Sequence, residues 1–410
     1  MSNSLKWLTM PYVYDKNNKG KGESGFMNFW VEHQYSVVVF LACLVFIAIT
    51  NLWMLRKSLG AYPASRNGPR VSILVPARNE RANIKACVES LLAQEYSDFE
   101  VLVLDDQSDD GTAKVLDEQF AGHPRLILLH GATPPPGWIG KSWACHQLAQ
   151  RASGELLLFT DADTRHHPRT LAHAVRALTE ENLDFLSVFI KEDVSSWSER
   201  LVIPMISWSI LSFLPLALAY YTPWPALSAA NGQFLLFRRS AYEAIGGHEA
   251  VRQSAVEDIA LARCVKQHGL RWRLLDGSDL VRCRMYENYK QVYEGLTKNL
   301  LAVFDYRIGW FILIWLWIGL FTFEPLIVLA GHLMGMNLGE IQPALWSVLL
   351  SLGLWGITYK RFGYPLYWAL FYPLSVAFTV WLAWGSLIRT LRGKAIWKAR
   401  TLPRVRWRWW

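Results

Sequence analysis

Long apolar runs stand at both ends of this chain, at Tyr35–Leu55 and at about 308–333, 341–358 and 364–388, with a charged stretch between them. A helix needs about 20 mostly apolar residues to cross a bilayer core, and lipid offers no partner for unpaired backbone groups. These runs are therefore expected to form membrane helices, and the middle a domain that folds in water. Composition fits two environments in one chain: 52% of the 410 residues are hydrophobic and 14% aromatic, yet 19% are charged. A pure membrane bundle would carry less charge, and an ordinary soluble enzyme less apolar surface.

The net charge of +8 is concentrated in a tail over 389–410. There Arg389, Arg392, Lys394, Lys398, Arg400, Arg404, Arg406 and Arg408 stand among Trp397, Trp407, Trp409 and Trp410. Basic residues mixed with Trp beside an apolar run read as a segment lying on anionic headgroups. No reader motif accompanies the charge, so no nucleic-acid partner is expected. Five cysteines, Cys43, Cys87, Cys145, Cys264 and Cys283, never approach C-x-x-C spacing. That disfavours a zinc site or disulfide framework and suits a reducing compartment.

Residues 1–34 form a polar leader with four lysines, and 35–55 an anchor closed by Arg56-Lys57. A secretory signal would sit nearer the N-terminus and end in small residues, so the anchor is read as uncleaved. After a linker over 56–70, alternating short apolar runs and helical patterns predict a βαβ domain over about 70–300. Its strands are expected at Val71–Val75, which Pro76 ends, and at Glu100–Leu104, Leu126–Leu129 and Glu155–Thr160. Helices are expected at Asn83–Leu92, after a Ser108 cap, and at Ser142–Ala152 and Ile259–His268.

The stretch Leu201–Tyr221 also lacks charge. If it crossed the membrane, Glu257-Asp258 would be separated from Asp161 and Asp163. With Pro204, Pro215, Pro223 and Pro225 in and after it, it is expected to be interfacial or re-entrant, with the acceptor sliding in along its face. Among the C-terminal runs, the loop Gly335–Ala344 has no Lys or Arg, whereas Lys360-Arg361 follows the second run. The positive-inside rule places Lys360 in the cytosol. A full third crossing would strand the basic tail outside; a re-entrant course for that run, which contains Pro365 and Pro373, is the alternative.

Three acidic clusters carry the chemistry: Asp105-Asp106, Asp161-Ala162-Asp163 and Glu257-Asp258. The first two follow strands, and ligands of open α/β sheets bind at the carboxyl ends of strands. Asp161 and Asp163 are hard oxygen donors in an extended segment, suited to Mg²⁺ or Mn²⁺ beside a diphosphate. Asp105 and Asp106 can meet uracil or ribose, or serve a turn. Glu257-Asp258 leads a helix, where capping is the structural alternative to catalysis. Lys141, just before a helix, is a candidate diphosphate contact, and Arg284, Lys290 and Lys298 could clamp from the far side. His166 or His167 offers a third metal ligand or a surface pair. There is no Walker loop and no nucleophile with a base in motif spacing.

In order, Val71-Ser-Ile-Leu-Val-Pro-Ala-Arg-Asn-Glu80, Val103-Leu-Asp-Asp-Gln-Ser-Asp-Asp-Gly-Thr112, Phe159-Thr-Asp-Ala-Asp163 and Val256-Glu-Asp258 resemble the motifs of family 2 inverting glycosyltransferases. The resemblance implies an α/β, Rossmann-like GT-A domain plus transmembrane helices. It implies nucleotide contacts at Glu80 and Asp106, sugar-diphosphate and metal binding at Asp161 and Asp163, and a base at Asp258. Gly137-Trp-Ile-Gly-Lys-Ser-Trp-Ala144, Asn231-Gly-Gln-Phe-Leu-Leu-Phe-Arg-Arg239, Gly246-Gly-His248, Arg284-Met-Tyr286 and Gly295-Leu-Thr-Lys-Asn299 resemble the membrane-bound subgroup acting on carotenoids and related polyisoprenoid lipids. The Q-x-x-R-W signature of polysaccharide synthases is absent, which weighs against processive synthesis. The expectation is a multi-pass cell-membrane enzyme with a cytoplasmic catalytic domain. It would move one hexose from a nucleoside diphosphate sugar, expected to carry uridine, to a hydroxylated lipid, using a divalent cation. A polyprenyl-phosphate sugar synthase and an inactive membrane scaffold are the rivals.

Overall fold

The computed structural model describes residues 23–393, 396–397, 400–401 and 406–410. Most of the leader, together with Lys394, Lys398, Arg404 and the side chains of Trp397 and Arg400, lies outside the described residues. The chain enters through α1, Glu23–Met54, and then builds a parallel core from β1, Val71–Ala77, and β2, Phe99–Asp105. β3, Leu126–His130, pairs with the far side of β2, and β4, Leu156–Phe159, with β1. Pro76 does not end β1; it stays in register with Leu104. Its missing N–H faces β4, which pairs with β1 no further than Leu74. The crossovers are α2, Ile84–Leu92, α3, Thr112–Phe120, and α4, Gly140–Arg151.

Ser108 is not the cap of α3. Gly111 precedes that helix at φ +92, Asp110 accepts the Thr112 N–H, and the Ser108 hydroxyl instead accepts the N–H of Asn79. A left-handed φ there favours glycine over any residue with a Cβ. A small sheet follows, β5, Thr164–His166, with β7, Lys191–Glu192, and β10, Val281–Cys283, in the order β5-β10-β7. The helix α5, Thr170–Glu180, leads into β6, Phe185–Phe189; β8, Leu235–Arg238, and β9, Trp272–Asp276, complete the large sheet. Its order is β3-β2-β1-β4-β8-β6-β9, with only β8 antiparallel to its neighbours.

Strand alternation sends Ile73, Val75, Val101 and Val103 into one core with α2 and α5. Leu74, Leu102, Leu104 and Phe159 enter a second core shared with α1 and with α6, Trp197–Phe213. α6 and α7, Leu216–Tyr221, occupy the stretch expected to be interfacial. Pro215 separates them, and fully buried Asn51 of α1 bridges the break. Its amide donates to the carbonyls of Leu211 and Leu214 at 2.8 and 2.7 Å, and its oxygen accepts the Leu216 N–H at 2.9 Å.

Short helices α8, Arg239–Ala244, and α9, Gly247–Ala250, precede α10, Glu257–Gln267, and α11, Tyr289–Asn299. The chain ends in α12, Ile308–Leu333, α13, Ile341–Arg361, and α14, Tyr372–Leu391. Among the described residues four segments are long and apolar enough to cross a membrane: Trp30–Met54, Ile308–Leu333, Ile341–Arg361 and Leu366–Leu391. α6 packs on α1, α13 and α14, with Trp208 stacked on Trp355 at 5.2 Å. The face along which the acceptor was expected to slide is thus largely covered.

Candidate active site

Because β1, β2, β4, β6 and β9 run the same way, their carboxyl ends form one edge of the sheet. Asp106 follows β2 and is buried, its N–H given to the Ala77 carbonyl. Glu80 follows the neighbouring β1; it donates its N–H to the Thr112 hydroxyl and accepts from the Asn83 amide. Asp161 and Asp163 follow β4. Lys141, on the first turn of α4, lies 2.8 Å from Asp161 Oδ1 and 2.8 Å from Glu257 Oε1. One ammonium thereby joins carboxylates separated by nearly a hundred residues of chain, on either side of α6 and α7.

Asp258 sits beside this bridge. Its Oδ2 accepts the N–H of Gly232 at 2.9 Å and its Oδ1 that of Ile259 at 2.8 Å. The second bond does satisfy one orphan donor of α10, but the first faces away from the helix, into the loop before β8. Gly232 must approach closely: a Cβ there would lie 3.4 Å from both Asp258 Oδ2 and Lys141 Nζ. Lys141, Cys145, Asp161, Gly232, His248 and Glu257 together line one narrow recess at this point.

The electrostatics separate the two neighbouring acids. Burial, and then the charge of Glu257, push Asp258 up to about 6, against Lys141 and its two backbone donors. Burial would raise Glu257 too, but Lys141 and Lys298 outweigh it and hold that carboxylate below its ordinary range. Lys141 is held well above its ordinary value, because Asp161 and Glu257 overcome its burial. Lys298 of α11 joins the group; burial pulls it down to about 8, opposed by Glu257, Asp161 and Asp258 and assisted by Lys141. Such divergence between adjacent titratable groups is a mark of functional sites.

Other expected residues are placed differently. Asp163 is hydrogen-bonded by the Cys283 thiol of β10. Arg284, the next residue, pairs with Glu199 at 3.2 Å rather than with the Lys141 cluster, and Glu199 in turn closes a capping box with Ser196 on α6. His166 is no ligand: its Nε2 lies 3.0 Å from the Thr160 hydroxyl and 3.1 Å from that of Thr164, and burial holds it neutral. His167 uses Nδ1 to accept the Arg169 N–H. Sequence reasoning missed Glu257 as the partner of Lys141, and it missed half-buried Glu192, whose carboxyl, desolvated and facing Asp163, is pushed up to about 8. Glu192 stands on a two-residue strand and had no local signal.

No group of three or more His, Cys, Asp or Glu side chains among the described residues is arranged to hold a metal. The hard-oxygen pair Asp161 and Asp163 nevertheless fits a Mg²⁺-like ion, which commonly binds through one or two carboxylates and takes its other ligands from water and phosphate.

Residues 72–246 match the model described as Glycosyl transferase family 2. The 4,4'-diaponeurosporenoate glycosyltransferase of Staphylococcus haemolyticus (strain JCSC1435) is 26% identical over 255 residues, 60% of this chain and 65% of that protein. Its namesake from Staphylococcus aureus (strain USA300) is 26% identical over 282 residues, 66% of this chain and 70% of that one. The chain thus spans about two thirds of these relatives. Among solved structures, the mannosyltransferase PcManGT from Pyrobaculum calidifontis, in complex with GDP-Man and Mn²⁺, is 19% identical and aligns with a TM-score of 0.50 over 86% of this chain and 99% of its own. At that identity the likeness concerns the fold alone. The strand order and the acidic edge described above thus lie in a stretch, residues 72–246, that matches the Glycosyl transferase family 2 model, and the α/β part of the chain has a GT-A-like fold.

Proposed function

We propose that the protein transfers one hexose, with inversion, from a nucleoside diphosphate sugar to the end group of a membrane lipid. The observation that carries this reading is the meeting of Asp161, Lys141, Glu257 and Asp258 at the sheet edge where the apolar helices gather. Glu80 and Asp106 flank the place of the nucleoside, and Lys141 and Asp161 that of the diphosphate. Asp163 would hold a Mg²⁺ or Mn²⁺ ion, which when bound neutralises charge on the departing diphosphate. Arg284 reaches this group only by exchanging Glu199 for a phosphate.

Asp258 takes the proton of the acceptor hydroxyl as that oxygen bonds to the anomeric carbon and the bond to the diphosphate breaks. A carboxylate with a pKa near 6 is a better base than an ordinary one yet ionised at neutral pH. Cytosolic orientation and a uridine donor belong to the same proposal. A second reading has support of its own: the relatives' name describes an acid, and a carboxylate acceptor arrives already ionised. The experiment offers purified protein in lipid vesicles a labelled nucleoside diphosphate hexose with acceptors ending in hydroxyl, carboxylate or phosphate. Transfer to none of them refutes the proposal. Transfer to the hydroxyl lipid that Asp258→Asn abolishes supports the base, and transfer to the carboxylate that survives Asp258→Asn supports the second reading.

A further inference from the structure

Residues 406–410 return to the start of α12 and bind it through their backbone. Arg408 donates its N–H to the Tyr306 carbonyl at 3.1 Å, and its own carbonyl accepts the Ile308 N–H at 2.9 Å. The Trp409 carbonyl accepts the Gly309 N–H at 2.8 Å. Ile308 and Gly309 open α12, and the residue before them, Arg307, makes no side-chain cap. The returning segment therefore supplies acceptors that the first turn of the helix would otherwise lack. Gly309 makes the seat possible, because a Cβ there would lie 2.7 Å from the Trp409 carbonyl and 2.6 Å from the Trp410 ring.

The seat adjoins two strained residues that hold the helix of the proposed base. Asp305 and Tyr306 have φ of +52 and +58, left-handed values that such side chains rarely adopt and that persist only where their surroundings enforce them. Asp305 accepts from Arg263 of α10 at both carboxylate oxygens, at 2.7 and 2.8 Å. Tyr306 packs against a small core of Ala255, Val256 and Ala302. Val256 directly precedes Glu257 and Asp258 at the start of α10. The turn that the segment clasps thus touches α10 at its beginning and at its middle.

The side chains of the segment are left facing outward. Arg406 and Arg408 are exposed, and Trp407, Trp409 and Trp410 are 45%, 59% and 68% exposed. The Trp410 ring lies 5.9 Å from that of Trp310, itself exposed in the first turn of apolar α12. Trp at the mouth of an apolar helix sits at headgroup depth, and Arg beside it draws anionic lipid. We propose that residues 406–410 form a strap that an anionic membrane surface seats on the Asp305-Tyr306 turn, and that this seating positions α10, and with it Asp258, for transfer; the proposal rests on the transferase reading above. A tail that served only as an anchor would leave turnover indifferent to headgroup charge.

The test uses full-length protein in phosphatidylcholine vesicles with increasing phosphatidylglycerol. Wild-type kcat should rise as the anionic lipid is added. Arg408→Gln keeps the backbone seat and should raise the phosphatidylglycerol fraction needed for half-maximal kcat roughly 3- to 5-fold. Gly309→Ala suits a helix better than glycine does, yet should unseat the strap and leave kcat low and flat at every composition. Hydrogen exchange at the Ile308 and Gly309 amides reads the seat without reference to activity: slow in anionic vesicles, fast in neutral ones, and fast throughout in Gly309→Ala. Measurable turnover that ignores phosphatidylglycerol, an equal response in Gly309→Ala, or amides protected alike in both kinds of vesicle overturns the strap. If anionic lipid protects the wild-type amides while no sugar is transferred in any vesicle, the transferase reading fails and lipid-driven seating is supported.

Discussion

At the scale of residues, the site depends on one lysine and two adjacent acids with opposite tendencies. Lys141 neutralises Glu257 and Asp161, and Asp258 keeps a raised pKa because it is buried and, next, because Glu257 stays ionised beside it. The groups facing Asp258 are Glu257 on its own helix, Lys141 on α4, Lys298 on α11 and the Gly232 N–H. Only the ionised carboxylate accepts a proton, so kcat/KM for a hydroxyl acceptor should fall as pH drops through about 6, while donor affinity changes less. A flat profile from pH 5 to 8 would argue that Asp258 is no base. Asp258→Asn should lose about 10²-fold or more in transfer at pH 7 while still binding the donor. Asn caps helices about as well as Asp, so a purely structural Asp258 predicts near wild-type transfer by the same folded mutant. Much of this was readable in the sequence, because acidic residues after apolar runs mark strand ends. The partnership of Lys141 with Glu257 was not, since it spans 116 positions of chain and no local pattern encodes it.

At the scale of elements, strand existence was legible from period-two apolar runs, and errors fell where tertiary context overrides a local signal. Pro76 looked like a stop, yet the shortness of β4 leaves room for it. Ser108 looked like a cap, yet the turn gave that task to Asp110 and Gly111. The broken α6–α7 segment shows the same dependence. Its break exposes three backbone groups that Asn51, in the last turn of the apolar helix α1, satisfies from outside. Asn51→Leu would bury two carbonyls and an N–H without partners, at a cost of about 1–3 kcal/mol for each group left unsatisfied. Thermal unfolding in detergent should show a clear loss for Asn51→Leu. An unchanged melting profile would mean that the break finds other partners.

At the scale of the whole molecule, the apolar helices meet the α/β domain at its carboxyl edge. Arg361, at the end of α13, bonds the Leu55 carbonyl at the end of α1 and the Asp276 carboxylate at the end of β9. Arg389, near the end of α14, bonds Thr297 beside the site. A residue just before the third apolar run and one near its end are thus both tied to the α/β domain, although Leu366–Leu391 is long enough to cross. The opposite ends of α1 and α12–α13 meet elsewhere, where Trp30 donates to the Leu338 carbonyl and Gln34 accepts the Glu340 N–H. A run that leaves and returns keeps Lys360, Arg392 and the catalytic domain together, which also obeys the positive-inside rule. Single cysteines at Arg252, Lys360, Arg392 and Leu338, in a background without the native five, separate the two courses. Arg252→Cys, Lys360→Cys and Arg392→Cys should react with an impermeant thiol reagent only in inside-out vesicles, and Leu338→Cys only in intact cells. Should Arg392→Cys react in intact cells alongside Leu338→Cys, the third run crosses fully, and the ties of Arg361 and Arg389 do not persist together in a bilayer.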